Sequence, residues 1–378
     1  MEKIKKIDLK QIYIFILIII TSGSIYGSYI YYKQFIIVLF VSSLIINNRR
    51  KIEKKSLIIG VILSSLILLN YFTWMGNIDG YISLIIKIIS ILLLSNNIDY
   101  KKFIKYYVYF FSIYIYISLI NYNILLNNWQ SVVAKVPIRN VWGTPMRPTL
   151  MYTFTENEFY RNFGFFKEGG MYAIFLDIAL IFSYKIKQNK WILFSRIMFL
   201  FTIATTLSTT GIIAAFIIVI FYSLFSSKIK FKNIVLMLLL FIILLLIETN
   251  LGIISNKFNQ NNESFTERSS EVSISMNIIE DNIWAGLGYQ NSNDLKEYTD
   301  IVMTNGVLSL FIQFGFIIGL IILSIYIYGI LCRFDNKLDK IIFIILFLFF
   351  SASEPVIFQP LFILLIFNNK IYETNRLL

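Results

Sequence analysis

Residues 54–102 read KKSLIIGVILSSLILLNYFTWMGNIDGYISLIIKIISILLLSNNIDYKK. Two apolar runs in this stretch, 56–74 and 79–95, are each close to the length of about 20 residues that a helix needs to cross a bilayer. The basic pairs Lys54–Lys55 and Lys101–Lys102 lie at the far ends of the two runs, whereas the turn between the runs has no Lys or Arg. Because Lys and Arg collect on the cytoplasmic side, this pattern predicts a transmembrane hairpin whose turn faces outward.

Similar apolar runs recur along the whole chain of 378 residues. Hydrophobic residues make up 57% of the sequence and charged residues only 15%, which excludes a soluble globular domain. The charged start leads into an apolar run without a small-residue cleavage site, so we expect that run to remain as the first span. We therefore predict an all-α polytopic integral membrane protein, a single domain over 1–378 with about 12 transmembrane helices. The predicted spans are 9–25, 28–47, 56–74, 79–95, 103–122, 169–185, 190–207, 209–226, 233–249, 304–330, 339–352 and 355–368.

The orientation of the chain follows from the charges of its loops. Every second loop is basic if the N-terminus is cytoplasmic, and the C-terminus then lies in the cytoplasm as well. The intervening short loops, 76–80 and 351–354, have no Lys or Arg. The net charge of +12 is explained by this placement, so we expect no nucleic-acid partner.

Two long polar interruptions, 123–168 and 250–303, fall on the outer side and are predicted to be large extracytoplasmic loops. Loops of more than about 15 residues in a compact protein are usually functional or disordered. The many aromatic residues of the first loop argue against a solvated tether. The second loop is predicted to contain an amphipathic helix along the membrane surface. This helix is indicated by apolar residues at helical spacing: Phe265, Val272, Met276, Ile279 and Ile283.

Each outer loop carries an arginine close to glycines: Arg161 in YRNFGFFKEGG and Arg268 in SFTERSSEVSISMNIIEDNIWAGLGYQNS. Arginine binds phosphate groups through a planar fork of donors and stays charged at any relevant pH, so either residue suits a lipid-linked pyrophosphate. The alternative is an ion pair with a nearby glutamate. Arg161 could pair with Glu158 or Glu168, and Arg268 could pair with Glu267 or Glu271.

Glu168 and Lys167 lie where the sixth span begins. Partial burial there could raise the pKa of the Glu168 carboxyl group toward the range useful for a general base. On the tenth span, Asn305, Ser309 and Gln313 recur every four residues and form a polar stripe, either a helix contact or the floor of a sugar site.

Charged residues within spans are costly and are therefore functional candidates. Asp177 and Arg196 fall at similar depth on neighbouring spans, which predicts a salt bridge, with a proton relay as the alternative. The chain has no histidine, and its one cysteine is Cys332. With no phosphate-binding loop or acidic metal motif either, we expect neither a cofactor nor a metal site.

Four stretches resemble the superfamily of bacterial O-antigen polymerases and O-antigen ligases, the Wzy-type polymerases in particular. The resemblance covers roughly residues 140–330 and keeps the order of the family's motifs. The four stretches are YRNFGFFKEGGMYAIFL (160–176), TTLSTTGIIAAFI (205–217), ERSSEVSISMNIIEDNIWAGLGYQNSN (267–293) and TNGVLSLFIQFGFIIGL (304–320).

The resemblance implies a GT-C-like membrane glycosyltransferase that makes O-antigen or capsule polysaccharide in the bacterial inner membrane. Such a polymerase transfers a growing glycan from undecaprenyl pyrophosphate to the non-reducing end of another lipid-linked repeat unit at the outer face. Arg161 and Arg268 would hold the pyrophosphate without a metal ion, and Glu168 is our candidate for the general base. Membrane lipid and a chain-length regulator are expected as partners. The expected substrate-binding residues are Arg147, Lys167, Tyr289, Asn305 and Gln313.

Two other functions remain open at this stage. An O-antigen ligase-type transferase commonly has a histidine before the Asn that opens the equivalent of the tenth span, but this chain has Thr304 there. A flippase for lipid-linked oligosaccharides would show short external loops and repeated halves. The two long outer loops therefore favour the polymerase.

Overall fold

The computed structural model describes residues 8–47, 52–126, 138–139, 145–149, 151–155, 160–224, 263–291, 304–334 and 336–367. This part of the chain contains thirteen α-helices, one π-helix and one three-stranded sheet. The protein is thus mostly helical, as expected for an all-α membrane protein.

The first half of the structure contains five of the α-helices. A π-helix, Tyr26–Ile30, lies between the first two α-helices. The α-helices are α1 (Leu9–Thr21), α2 (Tyr32–Ile46), α3 (Lys54–Trp74), α4 (Ile78–Ser95) and α5 (Tyr100–Leu126).

The second half contains eight more α-helices. Three lie between the two outer loops, namely α6 (Gly169–Tyr184), α7 (Lys190–Thr205) and α8 (Thr209–Leu224). The other five are α9 (Glu263–Asp281), α10 (Gly306–Phe314), α11 (Phe316–Arg333), α12 (Lys337–Ser353) and α13 (Pro360–Ile366).

Four of these helices, α3, α4, α5 and α11, are long and apolar enough to cross a membrane. Large apolar side chains remain exposed on their outer surfaces, as on α3, where Val61 is 57% and Phe72 is 67% exposed. A soluble protein rarely leaves such a surface uncovered, whereas lipid tails solvate it. The length of these helices and their exposed apolar faces indicate a membrane-embedded protein.

Most predicted spans coincide with a helix, but two differ and one lies outside the described residues. The predicted span 304–330 is divided into α10 and α11 at Gly315, and 355–368 contains only the seven residues of α13. Seven residues are far fewer than the roughly 20 needed to cross the hydrocarbon core. The span at 233–249 is not among the described residues, so the total of about twelve stays a prediction.

The division at Gly315 is stabilised by a turn from the second outer loop. Gly315 has a φ of 77°, which ends α10, and the freed carbonyl groups of Ile312 and Gln313 need other donors. The backbone N–H of Leu287 donates to the first at 2.7 Å, and that of Gly288 donates to the second at 3.0 Å. Hydropathy alone could not reveal this break, because the donors come from another segment.

The core of the bundle is organised around α6. Fourteen of the sixteen residues of this helix are buried, and α6 packs against α5, α7 and α8. A helix that is apolar on all sides belongs in the interior of a membrane bundle. The start of α6 is therefore held by its neighbours, and this start is where the candidate site lies.

The first outer loop contains a small antiparallel sheet that the sequence did not predict. Its strands are β1 (Ile138–Arg139), β2 (Pro145–Pro148) and β3 (Thr153–Thr155). The sheet order is β1-β2-β3. The backbone N–H of Thr153 donates to the carbonyl oxygen of Gly164 at 2.6 Å, which joins the sheet to the segment that leads into α6.

The predicted salt bridge between Asp177 and Arg196 is wrong. The Arg196 guanidinium instead donates to the hydroxyl and carbonyl oxygens of Ser183, at 3.0 and 2.8 Å, and lies over the Tyr184 ring. Both carboxyl oxygens of Asp177 are buried and accept no hydrogen bond in the described part of the chain. Hydropathy predicts a similar depth in the membrane for Asp177 and Arg196. The Arg196 side chain nevertheless extends toward the C-terminal end of α6 and not toward Asp177.

Candidate functional site at the outer ends of α6 and α12

The segment before α6 is fixed to the turn between α7 and α8. Asn162 is fully buried, and its backbone N–H and side-chain amide donate to the carbonyl and hydroxyl oxygens of Thr205, both at 3.0 Å. Its side-chain oxygen accepts a hydrogen bond from the N–H of Gly164, which has a φ of 55°. Glycine adopts this left-handed conformation without strain. Arg161 is consequently presented by an ordered backbone.

Arg161 lies directly beside the N-terminus of α6. Its Nε donates to the carbonyl oxygen of Thr206 at 3.2 Å, and its guanidinium carbon lies 5.8 Å from the centre of the Phe163 ring. A Cβ atom at Gly169 would lie 3.4 Å from an Arg161 terminal nitrogen. The arginine therefore reaches the end of α6 at which the helix dipole is positive.

A second carboxyl group joins Glu168 at this place. Glu354, in the turn after α12, lies close enough to Glu168, Lys167 and Arg161 for their charges to act on its carboxyl group. The Lys167 amine lies 3.4 Å from Glu168 Oε1. We call Arg161, Lys167, Glu168 and Glu354 the charged cluster. It joins residues at the start of α6 with a residue far later in the sequence.

Glycines provide the space for Glu354. A Cβ atom at Gly170 would overlap the Glu354 carboxyl group, and one at Gly306 would lie 2.5 Å from the Glu354 carbonyl oxygen. Glu354 is thus packed between the N-termini of α6 and α10, and the residue as a whole is partly buried. Two helix N-termini at one place favour the binding of an anion.

Burial and charge shift the pKa values within the charged cluster. The pKa of Glu354 is raised to about 8, first by burial and then by the negative charge of Glu168, while the positive charges of Lys167 and Arg161 oppose the rise. For Lys167, burial lowers the pKa, but the negative charges of Glu168 and Glu354 outweigh it and the pKa is raised. The Glu354 carboxyl group therefore keeps its proton near neutral pH while Lys167 stays positive.

The second outer loop is tied to the same region through Glu271 on α9. This buried carboxylate accepts hydrogen bonds from the N–H of Thr304 at 2.7 Å, the hydroxyl of Thr304 at 2.8 Å and the N–H of Asn305 at 2.8 Å. Because α10 begins at Gly306 beside Glu354, α9 and the charged cluster flank the same helix end. The two outer loops are therefore linked by a continuous set of contacts.

Arg268 lies on α9, one helical turn before Glu271. Its side chain lies outside the part of the structure that is described, so its distance from Arg161 stays a prediction. The backbone of the second arginine-bearing segment thus approaches α10, which in turn contacts the turn that carries Glu354.

Two of the expected substrate-binding residues lie at opposite ends of α10. The Asn305 side chain accepts hydrogen bonds from the N–H groups of Val307 and Leu308, each at 3.0 Å, and so forms the N-cap of the helix. The Gln313 side chain donates to Ser309 at 2.8 Å. At 1.5 Å per residue, Asn305 and Gln313 are roughly 12 Å apart along the helix. Only Asn305 is near the charged cluster.

Tyr289 and Arg147 lie on other elements of the structure. Tyr289 is buried, its N–H donates to the Tyr81 hydroxyl oxygen at 2.7 Å, and its ring packs 5.7 Å from that of Phe314. It thus belongs to the Gln313 end of α10. Arg147 lies on β2, opposite Phe154 on β3, and the sheet is connected to Gly164 as described above.

Glu354 is the member of the charged cluster that sequence reasoning missed. It lies in SASEP (351–355), and the absence of Lys and Arg there predicts only a short outer turn. An acidic residue in a short turn between two apolar runs was the available signal. Among the described residues, no group of three or more His, Cys, Asp or Glu side chains could hold a metal ion.

Comparison with known proteins matches part of the chain to a family model. A family model described as O-antigen ligase matches residues 194–327, a range that extends from α7 into α11. Searches of curated proteins and of solved structures gave no match. The matched range includes Arg268, Tyr289, Asn305 and Gln313, whereas the charged cluster lies outside it. Over this range the chain is similar to the O-antigen ligase family, which supports the superfamily of O-antigen polymerases and ligases and an enzyme type that acts on lipid-linked glycans in a membrane.

Proposed function

We propose that the protein is a polysaccharide polymerase of the O-antigen or capsule type. It would transfer a growing glycan from undecaprenyl pyrophosphate to the non-reducing end of another lipid-linked repeat unit. The observation that supports this most directly is the position of Arg161 and Lys167 beside the N-terminus of α6. Two cations at a helix N-terminus, on the predicted outer side, suit a pyrophosphate group.

The reaction would develop negative charge on the pyrophosphate as the sugar leaves it. Cationic groups held in advance around that charge stabilise the transition state more than the ground state. Arg161 and Arg268 are proposed to hold the pyrophosphate, with Lys167 as a third cation, so that no metal ion is needed. Glu168, next to these cations, is the carboxylate proposed from the sequence as the base for the acceptor hydroxyl.

The remaining expected residues would bind the glycan and its lipid. Asn305 is close enough to the charged cluster for the reacting sugars, and Arg147, Tyr289 and Gln313 are proposed for more distant sugar units. The lipid tail would lie among the exposed apolar helices, and the enzyme is proposed to lie in the bacterial inner membrane with both termini in the cytoplasm. A chain-length regulator is the proposed protein partner.

A ligase that delivers glycan to another acceptor is the second candidate function. It is supported by the matched family description, O-antigen ligase. Thr304 argues against it, because ligases of the superfamily commonly have a histidine there and the chain contains none. Thr304 instead donates its hydroxyl hydrogen to Glu271.

Deletion of the gene, followed by gel analysis of surface polysaccharide, tests the proposal. If the protein is a polymerase, we expect that a single repeat unit remains on the lipid acceptor and that longer chains disappear. Complete loss of surface glycan would point to the ligase or to a flippase. An unchanged profile would contradict all three functions.

Replacing Arg161 with Ala tests the pyrophosphate site. Arg161→Ala is expected to abolish long glycan chains, because transition-state charge stabilisation by one such group contributes about 2.7–4 kcal/mol. Arg161→Lys should restore the chains only in part, since lysine lacks the planar fork. Chain-length ladders on gels, normalised to protein level in the membrane, are the measurement.

The matched control is Lys33→Ala, which removes an exposed cation whose amine lies 2.8 Å from Asp79 at another outer turn. Its ladder should be normal. Arg268→Ala should reproduce the Arg161→Ala result. Normal ladders in both arginine variants would exclude these two residues from the site.

A further inference from the structure

Glu168 and Glu354 form a pair of carboxyl groups at the N-terminus of α6, beside the cations that are proposed to bind pyrophosphate. A Cβ atom at Gly170 would overlap the Glu354 carboxyl group, and one at Gly169 would lie 3.4 Å from an Arg161 terminal nitrogen. The Lys167 amine lies 3.4 Å from Glu168 Oε1 in the same segment. A carboxylate at this position can accept a proton from a hydroxyl group next to the bound pyrophosphate.

The position of this pair is built by the packing of two helices. Gly170 at the start of α6 leaves room for the Glu354 carboxyl group, and Gly306 at the start of α10 contacts its backbone. The N–H of Glu354 donates to the carbonyl oxygen of Phe350 at 2.9 Å, and the carbonyl oxygen of Glu354 accepts from the N–H of Val356 at 2.8 Å. The residue as a whole is only partly buried, which leaves a path for a hydroxyl group to approach it.

We propose that Glu354, in place of Glu168, is the general base of the glycan transfer and that Glu168 is the positioning residue that tunes it. This proposal rests on the proposed polymerase function. The acceptor hydroxyl oxygen would form a bond to the anomeric carbon of the donor glycan, and the bond from that carbon to the pyrophosphate oxygen would break. The hydroxyl proton would pass to the Glu354 carboxylate, and the electron pair would leave on the lipid pyrophosphate beside Arg161 and Lys167.

The charges that face Glu354 come from the segment before α6. They are Arg161, Lys167 and Glu168. The described residues of α10, on the other side, contain no titratable side chain. The pKa of Glu354, raised to about 8 first by burial and then by Glu168, is close to the pH at which a general base is most effective. Lys167 and Arg161 oppose that rise.

The test is the pH dependence of polymerisation by the purified full-length protein in lipid nanodiscs. The substrate is the lipid-linked repeat unit extracted from cells that lack the gene, and products are separated by chain length. The wild-type rate should rise with pH and level off above about 8, where the Glu354 carboxyl group is ionised. Glu354→Gln should lower the rate by at least about 100-fold and remove the inflection.

Two neighbouring variants should move the inflection in opposite directions. In Glu168→Gln a negative charge that raises the pKa of Glu354 is lost, so the inflection should fall to lower pH. In Lys167→Met a positive charge that lowers this pKa is lost, so the inflection should rise. A purely structural role for the cluster would change rates and unfolding temperatures without these opposite shifts.

Glu280→Gln is the control, because Glu280 is an exposed carboxylate on α9. Its rate and inflection should equal those of the wild type. If Glu354→Gln does not fold, the opposite shifts of the pH inflection in Glu168→Gln and Lys167→Met test the role of Glu354. Wild-type-like pH profiles in Glu168→Gln and Lys167→Met, or an active Glu354→Gln, would overturn the role of Glu354. A wild-type enzyme that makes no polymer would instead overturn the proposed function.

Discussion

At Gly170 a single methyl group would occupy the place of the Glu354 carboxyl group. The site therefore depends on a glycine, because glycine has no side chain to fill this space. Because Gly169 and Gly170 have no side chains, the Arg161 guanidinium and the Glu354 carboxyl group can both approach the N-terminus of α6. Adjacent glycines in a sequence usually indicate a flexible backbone. In the structure, these two glycines leave space for charged side chains.

Gly170→Ala is therefore expected to impair activity more than stability. The overlap is with the end of a flexible side chain, so Glu354 can move aside at little cost to folding, but its carboxyl group then leaves the charged cluster. We expect at least a ten-fold loss of polymerisation, on the order of 1.4 kcal/mol. Chain-length gels and thermal unfolding of the same purified sample measure the two effects.

Gly76→Ala is the matched control for this substitution. A Cβ atom there would meet only the Tyr81 ring, at 3.9 Å, which is ordinary contact. Equal activity of the two alanine variants would contradict a role for the space at Gly170.

At the scale of elements, the second outer loop is attached to both ends of α10. Glu271 on α9 binds the segment before α10, and the turn that contains Gly286 and Gly288 binds the carbonyl groups at the end of α10. The helix predicted in this loop is present, but Val272 and Met276 of its apolar stripe are about half exposed, at 48% and 50%. Contact of this stripe with the membrane surface stays a prediction.

Glu271→Ala should loosen the start of α10. It leaves the N–H and hydroxyl of Thr304 and the N–H of Asn305 without their acceptor, and each unsatisfied buried donor costs about 1–3 kcal/mol. Hydrogen exchange at residues 304–308 should become faster, and glycan chains should shorten. Glu280→Ala, an exposed change on the same helix, should leave both unchanged; faster exchange in both variants alike would refute the specific role of Glu271.

Gly286→Ala should destabilise the join between α9 and α10. Gly286 has a φ of 65°, and a Cβ atom there would overlap backbone atoms of Ile312 and Gly315, which cannot move aside as a side chain can. Strain of this kind costs about 1–3 kcal/mol before any clash. We expect a lower unfolding temperature and less protein in the membrane, measured against Gly76→Ala. An unchanged unfolding temperature would mean that the turn is not held as described.

At the scale of the whole molecule, orientation decides whether the site can meet its proposed substrate. The charged cluster lies at the ends of helices that the loop charges predict to be outside the cytoplasm. Basic residues such as Lys187 lie at the opposite ends. If this orientation were reversed, the cluster would face the cytoplasm.

Cysteine labelling checks the orientation. On a Cys332→Ser background, which removes the one native cysteine, Asn77→Cys and Lys187→Cys each place a thiol at an exposed turn. The cells are first stripped of their outer membrane, so that only the inner membrane remains intact. A membrane-impermeant thiol reagent should then label position 77 and not position 187. After membrane disruption both should be labelled. Labelling of position 187 alone before disruption would reverse the predicted topology and remove the site from the outer face.

Hydropathy and loop charge predicted most helices, the two outer loops and the residues before α6, because those features depend on local composition. The sequence by itself thus determined the membrane class, the orientation that is proposed and Arg161, Lys167 and Glu168 as candidates. Tertiary structure alone decided that Glu354 joins Glu168, that Arg196 turns to Ser183 and that α10 ends at Gly315. Each of these contacts depends on distant segments that only the packed helices bring together, and no local pattern records which segments will meet.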